Sequence, residues 1–116
     1  MDYQLDAYPV DDDRGGIRSR EKIKILVCVL LRDLGASVDR AVMQSALYES
    51  GVANYFEVSQ AIDGLARKSA LDVTEVGDRT FIALTDTGLR VAEVLEGDVS
   101  RYIRAKAADA LRKALG

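Results

Sequence analysis

Apolar positions change their period twice along the chain. From Arg18 to Leu34, residues Ile23, Leu26, Val27, Leu30 and Leu34 recur in steps of three and four, which gathers them on one face of an α-helix. Ile25, Val29 and Leu31 widen that stripe, so the helix calls for cover on more than one side, from its own chain or from a second subunit. Gly35 ends it, as a left-handed residue after a last turn does. A second amphipathic helix opens at Ser37 or Asp39 and runs to about Ser50, with Val42, Met43, Ala46 and Leu47 inward and Gly51 as its stop. A third begins at Asn54, with Asn54 and Glu57 as a reciprocal cap, or at Glu57 itself. It buries Val58, Ala61, Ile62 and Leu65 and leaves Ser59, Gln60, Asp63 and Arg67 outward.

The period then drops to two. Leu71–Val76 and Arg79–Leu84 alternate on either side of Gly77-Asp78, a pair suited to a tight turn with positive φ at its first residue. Folding on that turn sets Leu71 opposite Leu84 and Val73 opposite Ile82 on a core face. Asp72, Thr74, Arg79 and Phe81 fall on the solvent side.

Helical spacing returns at Thr85, a cap with Asp86 in the electropositive first turn. This fourth helix reaches about Glu96, with Leu89, Ala92 and Leu95 inward, and its Gly88 permits close approach of another backbone. Gly97 closes it. Asp98 is placed to cap the last helix, Val99 to about Leu115, which carries a narrow stripe of Val99, Ile103, Ala107, Ala110, Leu111 and Ala114. The expected fold is therefore α+β and mainly helical. It is a winged helix-turn-helix with three N-terminal helices, a two-stranded β-hairpin wing and two C-terminal helices. Residues 18–98 form its core, 99–116 a terminal helix, and 1–17 an arm.

The stretches LYESGVANYFEVSQAIDGLARKSALDV and TFIALTDTG, with Ile103–Lys106 in the last helix, resemble an uncharacterised bacterial winged-helix family known as a domain of unknown function. The resemblance covers about Ser19 to Leu115. Its most telling pieces are Tyr55-Phe56, the leucine-centred third helix, and Leu84-Thr85-x-x-Gly88, a pattern similar to that of MarR- and PadR-like regulators. Where that family tends to have a hydroxyl residue at the start of the third helix, this chain has Glu57. The resemblance implies a transcription regulator that binds double-stranded DNA, with the third helix in the major groove and the hairpin on backbone or minor groove. Ser59, Gln60, Asp63, Arg67, Lys68 and Arg79 are the candidate contacts. Gln60 suits adenine, Arg67 phosphate or guanine, and Arg79 phosphate. It also implies a homodimer, for which Ile103, Ala107, Ala110, Leu111 and Ala114 offer a seam. The alternative packs that stripe on the first helix of its own domain.

Charge sets a competing expectation. The 116 residues carry a net charge of -3, and duplex binding draws on excess positive charge. Glu57 and Asp63 offset Arg67 and Lys68, and Glu75 and Asp78 surround Arg79. The alternative function is thus a winged helix used for protein contact, with Phe81 exposed as a contact residue. Asp2, Asp6, Asp11, Asp12 and Asp13 load the arm, which reads as a solvated tail or as a segment that shields a basic surface.

Catalysis is not expected. The chain has no histidine, the commonest acid-base and metal-ligand side chain, and no glycine-rich loop follows a strand to cradle phosphate. Cys28 lies among Val27, Val29 and Leu30 without an activator, and the pattern calls for no metal or cofactor. The longest apolar run, Ile25–Leu31, is far short of a membrane span. With no secretory pattern at the N-terminus, a cytoplasmic location follows by default.

Overall fold

A computed structural model describes residues 16–116; the predicted arm lies outside the described residues except for Gly16 and Ile17. Five helices and a small antiparallel sheet surround one hydrophobic core. Helix α1 (Arg20–Leu34) starts at Ser19, whose hydroxyl accepts the Lys22 amide, and ends at Gly35 with φ +69°. Every residue from Ile25 to Leu31 is buried. The broad apolar surface of α1 is covered by α3 (Tyr55–Arg67), α4 (Asp86–Leu95), α5 (Arg101–Leu115) and strand β3 (Arg79–Leu84) of the same chain.

Asp39, rather than Ser37, caps α2 (Arg40–Glu49), its carboxylate accepting from the Ala41 amide. Asn54 caps α3 through the amides of Phe56 and Glu57. The Glu57 side chain does not return to the cap; it is drawn to an arginine on α1, described below.

The hairpin pairs as its turn requires. Strands β2 (Leu71–Val76) and β3 meet with Leu71 opposite Leu84 and Val73 opposite Ile82. Positive φ is confined to Gly77 in the turn. The sheet has three strands, however, not two: β1 (Val38–Asp39) pairs antiparallel with β3, in the order β1-β3-β2. A two-residue strand is too short to show alternation. This makes β3 central and leaves β2 at the edge, so Leu71 is its only buried residue and Val73 is 44% exposed. Phe81, expected in solvent, is half-buried because Asp39 lies alongside it.

The end of the chain also departs from expectation. Leu95 is exposed. Asp98 closes a single 3-10 turn (Glu96–Asp98) after α4, Val99 is buried in extended backbone, and Ser100 caps α5 by accepting the Ile103 amide. Ile103, Ala107 and Leu111 are buried within the chain, on a helix that packs mainly against α2 and also touches α1. The stripe thus faces its own chain, but chiefly α2 rather than the first helix of the stated alternative; Ala110 is half-buried and Ala114 exposed.

Ile17 joins the core instead of the arm. It is 3% exposed, its amide donates to the Val52 carbonyl at 2.6 Å, and it forms a parallel bridge with Ala53, the residue before the α3 cap.

Candidate nucleic-acid interface

Helix α3 presents its outward face between α1 and α2, and both neighbours send cations onto it. Arg20 of α1 donates to the Glu57 carboxylate from Nε at 3.2 Å and Nη2 at 3.0 Å. Arg40, the first residue of α2, holds three partners at once. It donates to the Ser59 hydroxyl at 2.9 Å and carbonyl at 3.1 Å, meets the Asp63 carboxylate at 2.9 Å, and donates from Nε to Gln44 Oε1 at 3.0 Å. The planar guanidinium suits this task, since its fork of donors serves several acceptors without loss of charge. Ser59 and Asp63 are therefore bound into the α2–α3 junction rather than free to meet a ligand.

Both acids on the outward face are thus neutralised by arginines from neighbouring helices. Sequence spacing alone could not show this, because the pairs are 37 and 23 residues apart. Three predicted contacts remain open on α3. Arg67 and Lys68 are exposed and Gln60 is half-exposed, with no ion pair among the described residues.

A further cation joins them at Gly64. A Cβ built there would lie 3.1 Å from Lys24 Nζ and 3.8 Å from Arg67 Nη2. The lack of a side chain on Gly64 lets the α1 lysine lie across α3, where its ammonium and the Arg67 guanidinium converge. Among the described residues Lys24 pairs with Glu21 alone, at 3.6 Å, and the Glu21 side chain is largely exposed. Over this face Arg20, Lys24, Arg40, Arg67 and Lys68 stand against Glu21, Glu57 and Asp63, a surplus of positive charge that the third helix alone lacks.

A polar chain continues toward the hairpin turn. Arg79 lies 3.7 Å from the Asp39 carboxylate, and Asp39 adjoins Arg40. The turn is thereby tied to the junction that holds Ser59 and Asp63. At the opposite end, the head of α3 is aromatic: Tyr48 and Tyr55 meet edge-to-face at 6.0 Å, and Phe56 is 63% exposed. Tyr48 is likewise exposed.

The family described as Domain of unknown function (DUF4364) matches residues 23–115. The chain belongs to this family. No curated protein and no solved structure matches it. The DUF4364 span takes in Lys24, Gly64, Arg67 and Arg79 and omits Arg20 and the Ile17 bridge. No helix among the described residues of this DUF4364 chain is long and apolar enough to cross a membrane. Its one thiol, Cys28, is fully buried and pushed up to about 11 by that burial, so it stays protonated at neutral pH.

Proposed function

We propose that the chain is a winged-helix regulator that binds double-stranded DNA, with α3 entering the major groove and the β2–β3 hairpin serving as the wing. The observation that carries this reading is the convergence of Lys24 and Arg67 over Gly64. Two cations from different helices, held at the surface of the helix that would enter the groove, suit the phosphates that line it. Gln60, half-exposed and with no hydrogen-bond partner among the described residues, is the residue with the donor and acceptor pair that adenine requires. Arg79 at the turn takes a phosphate outside the groove. The pairing of Glu57 with Arg20 and of Asp63 with Arg40 removes the electrostatic objection to that approach.

The test is a titration of a random-sequence duplex by fluorescence anisotropy at several salt concentrations. Binding that weakens linearly with the logarithm of salt supports the reading, and a flat or absent response removes it.

A second reading, a module for protein contact, is favoured by the exposed Tyr48, Tyr55 and Phe56, since aromatic side chains are enriched at such interfaces. Phe81 no longer belongs to it. Pairing of two copies remains part of the regulator reading, although Ile103, Ala107 and Leu111 of the expected seam are buried in the chain's own core.

A further inference from the structure

Position on α3 separates Phe56 from the two tyrosines beside it. At about 100° per residue, Phe56, Gln60, Asp63 and Arg67 fall within about 60° of arc, and the buried Val58, Ala61, Ile62 and Leu65 are centred on the opposite side. Gly64 shares the outer side but lies under Lys24. The Tyr55 ring meets that of Tyr48 on α2, whereas Phe56 has no aromatic partner among the described residues and is 63% exposed. A lone apolar residue is ordinary on a protein surface. One at the centre of the face that meets a ligand helps to choose the ligand.

The chemistry of this stripe changes along its length. Its tail is cationic, with Lys24 and Arg67 converging over Gly64. In its middle, Asp63 is neutralised by Arg40 at 2.9 Å. Its head carries Phe56 and Gln60, and Glu57 beside them is tied to Arg20 at 3.0 Å. The head thus offers apolar surface and an amide, which suit base edges, and the tail offers charge, which suits phosphate. The C5-methyl group of thymine is the apolar group that the major groove presents, and a phenyl ring meets it by direct contact. Phe56 and Gln60 stand about 6 Å apart along the helix, close to two base-pair steps of about 3.4 Å, so each can meet its own base pair.

We infer that Phe56 is a specificity-determining residue of this face: it packs on the C5-methyl group of a pyrimidine while Gln60 pairs with an adenine about two steps away. The inference rests on α3 entering the major groove. Thymine supplies the methyl in every A·T pair, and a cytosine methylated at C5 carries the same group. Phe56 therefore favours both, Gln60 favours only A·T, and the chain prefers A·T duplex.

Four alternating duplexes separate the two contacts without an operator, because all base pairs within each are alike: adenine–thymine, adenine–uracil, guanine–5-methylcytosine and guanine–cytosine. The native chain, Phe56→Ala and Gln60→Ala, each shown to be folded by circular dichroism, are titrated with all four at two salt concentrations. For the native chain the methylated member of each pair should bind about fourfold more tightly, the gain from burying one methyl group. The adenine–thymine duplex should bind on the order of tenfold more tightly than guanine–5-methylcytosine. Phe56→Ala should abolish the first preference and keep the second, and Gln60→Ala should do the reverse. A native chain indifferent to the methyl group, or a methyl preference that survives in Phe56→Ala, overturns the role of Phe56. A preference for adenine that survives in Gln60→Ala overturns that of Gln60 and traces it to groove shape. If binding depends on salt but the four duplexes bind equally, the DNA reading stands and this inference falls. If none of the four binds, both fall.

Discussion

The Thr85 hydroxyl donates to the Ser69 carbonyl at 2.7 Å, and the same oxygen accepts the Gly88 amide at 3.2 Å. One side chain thereby joins the end of α3 to the start of α4 across the base of the hairpin. Ser69 is held with φ +61°, a conformation that costs a residue with a Cβ free energy. The Thr85 amide also donates to the Ala70 carbonyl at 3.2 Å. This is the physical content of the Leu-Thr-x-x-Gly pattern: Thr85 fastens the junction, and Gly88 lets α4 sit directly on it.

Gly88→Ala should therefore destabilise the fold. A Cβ there would collide with the Ala70 carbonyl oxygen and with the Leu84 side chain, and backbone cannot step aside as a flexible side chain does. Overpacking of this kind costs about 1–3 kcal/mol, with this position near the upper end, measurable as a lower urea midpoint. Gly64→Ala should behave oppositely. Its new methyl crowds the flexible tip of Lys24 and meets Arg67 Nη2 at an ordinary 3.8 Å, and alanine is up to about 1 kcal/mol better than glycine inside a helix. The fold should hold or gain stability while the Lys24 ammonium is pushed away and duplex affinity drops.

Leu111→Asp should unfold the protein rather than split a dimer. Leu111 is 2% exposed in the core cluster, on a helix packed mainly against α2. Removing its apolar bulk and burying a carboxylate there should cost roughly 3–5 kcal/mol. Circular dichroism should show a large fall in melting temperature. A folded chain with native melting would place Leu111 at the surface and contradict this packing.

Cys28 should resist thiol reagents at neutral pH. It is fully buried and its thiol is pushed up to about 11, so both access and thiolate fraction are low. Labelling by an aromatic disulfide reagent should follow global unfolding as urea is raised. Rapid labelling in native buffer would contradict the burial.

Glu96 gives the fold an acid limit. It accepts from Arg32 at 2.9 and 3.3 Å and from Arg104 at 2.6 Å, and these hydrogen bonds, Arg32 first, hold its carboxyl below the usual range. A depressed carboxylate contributes stability that is complete above its unfolded pKa and is lost as pH falls through the folded one. Melting temperature should thus fall below about pH 4.5, the ordinary glutamate range. In Glu96→Gln the drop should be shallower and the neutral-pH value lower. Parallel pH profiles for the two proteins would contradict the role of Glu96.

Local chemistry was legible in the sequence. Gly35, Asn54, Thr85 and Gly77 each act through their own or neighbouring backbone, and the two-residue turn fixed the Leu71–Leu84 register. What depends on how helices cross was not. Arg20, Lys24 and Arg40 reach α3 only because α1 and α2 flank it, so the acids that seemed to cancel Arg67 and Lys68 proved to be held by other residues. Val38-Asp39 was too short to announce itself as a strand. Asp98 and Ser100 are both good caps two residues apart, and only the 3-10 turn that absorbs Asp98 selects Ser100. The stripe on α5 had the same period whether it faced its own chain or another.

The most direct measurement is the salt slope of duplex binding for the native chain beside a chain carrying Lys24→Gln and Arg67→Gln. Each phosphate contact adds about 0.9 to the slope of log affinity against log salt. The doubly substituted chain, shown by circular dichroism to be folded, should therefore show a slope smaller by about 2. Equal slopes, with both chains folded, would contradict the claim that the α1–α3 face holds DNA through these two cations.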